Sequence, residues 1–75
     1  MTNDGVLAPG GERLFAGQAG DVTVDLSEIP APALRVFQAQ LAHYVREHGS
    51  RLDYRLGMND LQVLRVKWRW HGLAT

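Results

Sequence analysis

Residues 32–48 read PALRVFQAQLAHYVREH, and their spacing decides the fold. Placed on a wheel at about 100° per residue, Leu34, Phe37, Leu41, Tyr44 and Val45 share one arc. Arg35, Gln40, His43, Arg46 and Glu47 fall on the other side. An apolar stripe of this width is what a helix needs to lie on a core. Pro32 suits the first helical position, because its fixed φ and missing N–H cost nothing there. Pro30 disfavours helix at Ile29. Gly49 can take the left-handed conformation that ends a helix, and Arg46 and His48 suit the negative end of the dipole. The stretch therefore predicts one amphipathic helix over Pro32–His48. Val36 lies off the stripe and is read as a tolerated exposed valine.

The segments on either side alternate with period two, the signature of half-buried strands. In Asp21–Leu26, Val22, Val24 and Leu26 face one way, and Asp21, Thr23 and Asp25 the other. In Arg51–Leu56, Leu52, Tyr54 and Leu56 share a face. In Leu61–Trp70, Leu64, Val66, Trp68 and Trp70 oppose Val63, Arg65, Lys67 and Arg69. Gly57–Asp60 supplies turn chemistry between the last two strands. Both apolar sets must face the helix, because a slip of one residue would invert a strand. A three-residue loop over Met58–Asp60 meets that condition. It sets Tyr54 opposite Leu64, Leu52 opposite Val66 and Asp53 opposite Arg65, and Trp68 and Trp70 then overhang the hairpin.

Further upstream, Glu12–Ala16 could add a short strand, and Gly17–Gly20 reads as a turn. Met1–Gly11, with Gly5, Pro9, Gly10 and Gly11, reads as a flexible tail. The expected architecture is α+β: a three- or four-stranded antiparallel sheet packed on one helix, in the order (β)-β-α-β-β. It forms a single small domain over residues 12–72 behind a flexible tail over 1–11. No internal repeat is visible.

The chain is 75 residues long, enough for one domain with a minimal core. It has no cysteine, so a disulfide framework, a thiolate metal site and a cysteine nucleophile are all excluded. That absence suits a reducing compartment, and a cytoplasmic location is expected. No apolar run approaches a membrane span, and the first residues carry no secretory pattern. The formal charge is zero, but it is unevenly distributed. Residues 1–45 hold two basic and five acidic side chains, and residues 46–75 hold six and three.

That asymmetry concentrates in RVKWRW, residues 65–70. Arg65, Lys67 and Arg69 should share the exposed face with Arg51 and Arg55 of the neighbouring strand. Such a cluster attracts acidic surfaces or phosphates; the plainer reading is the solvated face of an antiparallel sheet, whose cations discourage strand addition. Trp68 and Trp70 have core-face parity, yet their expected overhang makes them candidate binding residues. The binding candidates are thus Arg51, Arg55, Arg65, Lys67, Arg69, Trp68 and Trp70. His43 and Glu47 are spaced i, i+4 but have no third ligand at matching spacing, so no metal or other cofactor is expected. Ser27 and Ser50 sit at helix boundaries, and no nucleophile–base pair or phosphate loop is apparent.

The expected function is a non-enzymatic protein–protein interaction module: an adaptor, assembly factor or inhibitor of bacterial or phage type. It would bind an unidentified protein and pair as a homodimer. The alternative is a nucleic-acid-binding regulator using the Arg-rich face. Neutral total charge and a basic face without aromatic side chains weaken that alternative.

Overall fold

The computed structural model describes residues 5–71. The elements run β1 (Val6–Leu7), β2 (Arg13–Leu14), β3 (Ala19–Asp25), α1 (Ala31–His48), β4 (Leu52–Met58) and β5 (Val63–Trp70). A 3-10 turn at Gly49–Arg51 joins α1 to β4. The expected α+β fold is present. β3, β5 and β4 form a three-stranded antiparallel sheet with β5 in the centre, and α1 packs on one face.

The helix begins one residue early, with Pro30 as its N-cap and Pro32 inside its first turn. Phe37 is its buried anchor, and Leu34, Leu41, Tyr44 and Val45 pack beside it as the stripe predicts. Val36 stays exposed at 57%. Its end differs from expectation. Gly49 keeps right-handed dihedrals (φ −60°, ψ −28°), and the chain tightens into the 3-10 turn before entering β4.

The amino-terminal segment is also different. Val6 and Leu7 pair with Leu14 and Arg13 as a small antiparallel ladder of their own. Val6 and Ala8 are buried in the core, so residues 6–8 belong to the packed domain and not to a tail; residues 1–4 lie outside the described residues. The expected strand over Glu12–Ala16 shrinks to Arg13–Leu14 and joins this ladder, not the main sheet.

Just beyond it, Phe15 adopts a left-handed φ of 64° and is fully buried. A bulky residue in that region is a backbone outlier held by its surroundings. Here the surroundings are aromatic. The Phe15 ring stacks on Tyr44 at 5.3 Å and meets Trp68 edge-on at 5.6 Å and Tyr54 edge-on at 6.2 Å. The Trp70 indole N–H donates to the Phe15 carbonyl at 3.2 Å. One residue thus ties α1, β4 and β5 together. Gly20 on β3 is equally constrained, because a Cβ there would lie 2.2 Å from the Trp68 ring.

The β4–β5 register corrects the sequence reading. The loop has three residues, as expected, but it is Asp60–Gln62, two positions later than anticipated. Asn59 pairs with Val63 through its backbone N–H at 3.3 Å, and its side-chain oxygen accepts from the amides of Leu61 (2.9 Å) and Val63 (3.1 Å). Gln62 closes the turn with φ 58°, a conformation its sequence does not advertise. Moving the turn by two residues shifts the pairing by four. Tyr54 faces Trp68, Leu52 faces Trp70 and Asp53 faces Arg69. An even shift keeps every side chain on its predicted face. It also removes the overhang, so both tryptophans have a β4 residue opposite them.

Candidate functional site

The face of the sheet away from α1 carries the charge. Its central strand, β5, presents Arg65, Lys67 and Arg69, all exposed. Antiparallel pairing arranges the neighbours in rows. Arg69 lies between Ala19 and Asp53, Lys67 between Asp21 and Arg55, and Arg65 between Thr23 and Gly57. Arg51 sits in the 3-10 turn at the end of the sheet, where its carbonyl accepts the His71 amide at 2.6 Å. The structure therefore gathers Arg55, Arg65, Lys67 and Arg69 on one surface, with Arg51 at its margin.

Asp21 and Asp53 share this face, opposite Lys67 and Arg69, but do not close ion pairs with them. Among the described residues, none of the five cations forms an ion pair within 4.0 Å; Asp53 Oδ2 instead lies 2.5 Å from His71 Nε2. Lys67 and Arg55 stand directly opposite each other, a like-charge arrangement that repels across the ladder. Gly57 leaves open space beside Arg65, since a Cβ there would meet nothing within 4 Å. The surface is a shallow depression rather than a cleft, lined by Asp21, Asp53, Arg55, Lys67 and Arg69 among others. Asp25, at the β3 end, has its carboxyl held below the usual carboxylate range. The Ser27 hydroxyl donates to it at 2.6 Å and the Ser27 amide at 2.9 Å.

The tryptophans do not join this surface. Trp68 is buried, with its ring over Gly20 and against Phe15. Trp70 is partly buried, bonded to the Phe15 carbonyl and packed edge-on to Tyr44 and His48. Both lie on the helix side as their parity predicts; the corrected register replaces the expected overhang with β4 neighbours, burying Trp68 and leaving Trp70 partly exposed. No aromatic side chain stands among the outer-face positions of β3, β4 and β5.

A second exposed feature escaped the sequence reading. On the helix side of β4, Tyr54 (39%) and Leu56 (45%) remain exposed, although their spacing marks them as core, and Met58 (59%), expected in the turn, extends the row. Leu61 in the adjoining loop is exposed too. The alternation correctly gives the face of Tyr54 and Leu56, but α1 does not cover it. Elsewhere, no three His, Asp or Glu side chains converge among the described residues. No described helix is long and apolar enough to cross a membrane.

Comparison with protein families, curated proteins and solved structures returns no match for this chain.

Proposed function

We propose that this chain is a non-enzymatic protein-interaction module, an adaptor, assembly factor or inhibitor, that takes an acidic protein surface on its outer sheet face. It works in a reducing, cytoplasmic setting and as a homodimer. The observation that carries this reading is the row Arg65, Lys67 and Arg69 on the central strand, joined by Arg55, none of them in an ion pair among the described residues. Clustered cations raise association rates and select acidic partners, and Asp21 and Asp53 beside Lys67 and Arg69 leave the face with a modest positive excess. A flat sheet face suits a macromolecular surface better than a small substrate, which needs a concave pocket.

The same cations could track nucleic-acid phosphates, but two features disfavour that. The formal net charge is zero, and the face offers no aromatic ring for base stacking. The test has two arms. Protein capture from the native host should recover a partner with wild-type chain and lose it when Arg65, Lys67 and Arg69 are all replaced by Gln. Nonspecific DNA and RNA, assayed at two salt concentrations, should not bind. Salt-sensitive nucleic-acid binding that vanishes in the triple variant would replace the protein-interaction reading with the regulator.

A further inference from the structure

The open edge of β4 has a property that the outer face lacks: it is complementary to itself. The pairing pattern shows which backbone groups point outward there. His71 donates its amide to the Arg51 carbonyl, which places the odd-numbered β4 residues in the hydrogen-bonded pairs with β5. The even-numbered residues Leu52, Tyr54, Leu56 and Met58 therefore aim their N–H and C=O away from β5; the Leu52 N–H is given to the Gly49 carbonyl, so the open donors begin at Tyr54. Among the described residues no other strand pairs with β4. These are the residues whose side chains form the apolar helix-side row, exposed from Tyr54 onward. Free ladder groups and uncovered apolar side chains coincide on one edge, the usual template for strand addition.

We infer that β4 pairs antiparallel with β4 of a second copy about a two-fold axis at Tyr54, forming a continuous six-stranded sheet. This deepens the homodimer reading above and is independent of what the outer face binds. Charge selects the register. With the axis at Arg55, the two Arg55 side chains would face each other. With the axis at Leu56, Arg55 would face Gly57 and Asp53 would face Asn59, leaving both charges unmatched. With the axis at Tyr54, Asp53 faces Arg55 of the second copy, and the pair occurs twice. Both positions would be non-hydrogen-bonded, where side chains approach most closely.

The intrachain surroundings favour this arrangement. On its β5 side Arg55 faces Lys67, so a carboxylate arriving from the open edge relieves a like-charge contact. Asp53 binds His71 through Oδ2, which leaves Oδ1 to accept from the second Arg55. On the helix side the axis brings Tyr54 against Tyr54, with Leu52 opposite Leu56 on both flanks. Arg65, Lys67 and Arg69 are left free on the outer face.

The test combines hydrogen exchange with charge exchange. In the wild-type chain at high concentration, the amides of Tyr54 and Leu56 should be protected and dilution should release them, whereas the Leu52 amide, given to the Gly49 carbonyl within the chain, should not respond and Met58 should stay open. The amides of Asp53 and Arg55, bonded within the sheet, should stay protected throughout. By sedimentation, Arg55→Asp should weaken the dimer by about tenfold or more, since two attractive pairs become two repulsive ones. Asp53→Arg should do the same, and the double variant Asp53→Arg/Arg55→Asp should regain the dimer. A monomer at all concentrations overturns both this pairing and the homodimer reading. A dimer in which Tyr54, Leu56 and Met58 are the released amides, or which ignores the charge changes, overturns the register alone. The exchange measurement needs no variant, so a variant that fails to fold leaves the outcome decidable.

Discussion

Replacing Phe15 with Ala is the most severe single perturbation the structure defines. The side chain is fully buried and touches Tyr44, Tyr54 and Trp68. Truncating a buried Phe costs about 3–5 kcal/mol. Each aromatic pair adds about 0.5–1.5 kcal/mol beyond area burial, which places this site at the upper end. A chain of this size holds roughly 4–11 kcal/mol in total, so Phe15→Ala should leave little or no folded population at 37 °C. The backbone offers a second readout. Gly is ordinarily about 0.5–1 kcal/mol worse than Ala. At φ 64° the order should invert, because Ala retains the left-handed penalty of about 1–2 kcal/mol and Gly does not. Urea unfolding followed by circular dichroism gives all three stabilities. A loss below about 1 kcal/mol for Phe15→Ala, or Gly less stable than Ala by the ordinary margin, would show that Phe15 does not hold the aromatic cluster in this backbone conformation.

Gly20→Ala should cost about 1–3 kcal/mol by driving a methyl group into the Trp68 ring, a change thermal melting will register. Leu41→Ala should cost about 2–5 kcal/mol, whereas Val36→Ala should cost a fraction of that; equal melting shifts would mean the helix is rotated from the facing described. Asp25 should titrate below the usual carboxylate value in NMR, and Ser27→Ala should bring it back up. Because its folded pKa is depressed, the contribution of this contact is present at neutral pH and is lost as pH falls below the ordinary value of 3.8 and through the folded value.

The helix and the facing of the strands were legible because they depend on periodicity alone. Leu34, Phe37, Leu41, Tyr44 and Val45 announce one stripe, and Val22, Val24, Leu64 and Val66 announce one sheet face. What lay hidden depends on tertiary context. Val6–Leu7 and Arg13–Leu14 are two residues each, too short for any period, and exist because the core covers them. Phe15 and Gln62 take positive φ without being Gly, so nothing in their residue type marks a turn. That second case displaced the hairpin loop by two residues and produced the false overhang of Trp68 and Trp70.

The cationic row of the candidate site survived that displacement because an even shift preserves faces. The exposed stripe on β4 could not be foreseen by the same logic. Alternation gives the face of Tyr54 and Leu56, but not whether a helix reaches them, and Met58 reads as part of the turn. A helix about 10–12 Å wide, set on strands about 4.8 Å apart, covers roughly two strands. Here the third strand of the sheet, β4, keeps these side chains in the open.

The central claim, that the outer face binds an acidic protein, is tested most directly by measuring affinity for the captured partner against salt. Wild-type chain and the Arg65→Gln, Lys67→Gln, Arg69→Gln triple variant should melt at nearly the same temperature, because exposed charges contribute little to stability. Wild-type affinity should fall as salt rises, and the variant should bind weakly with little salt dependence. Equal affinity and equal salt dependence in the two proteins would contradict the claim and leave the row as a solvated surface.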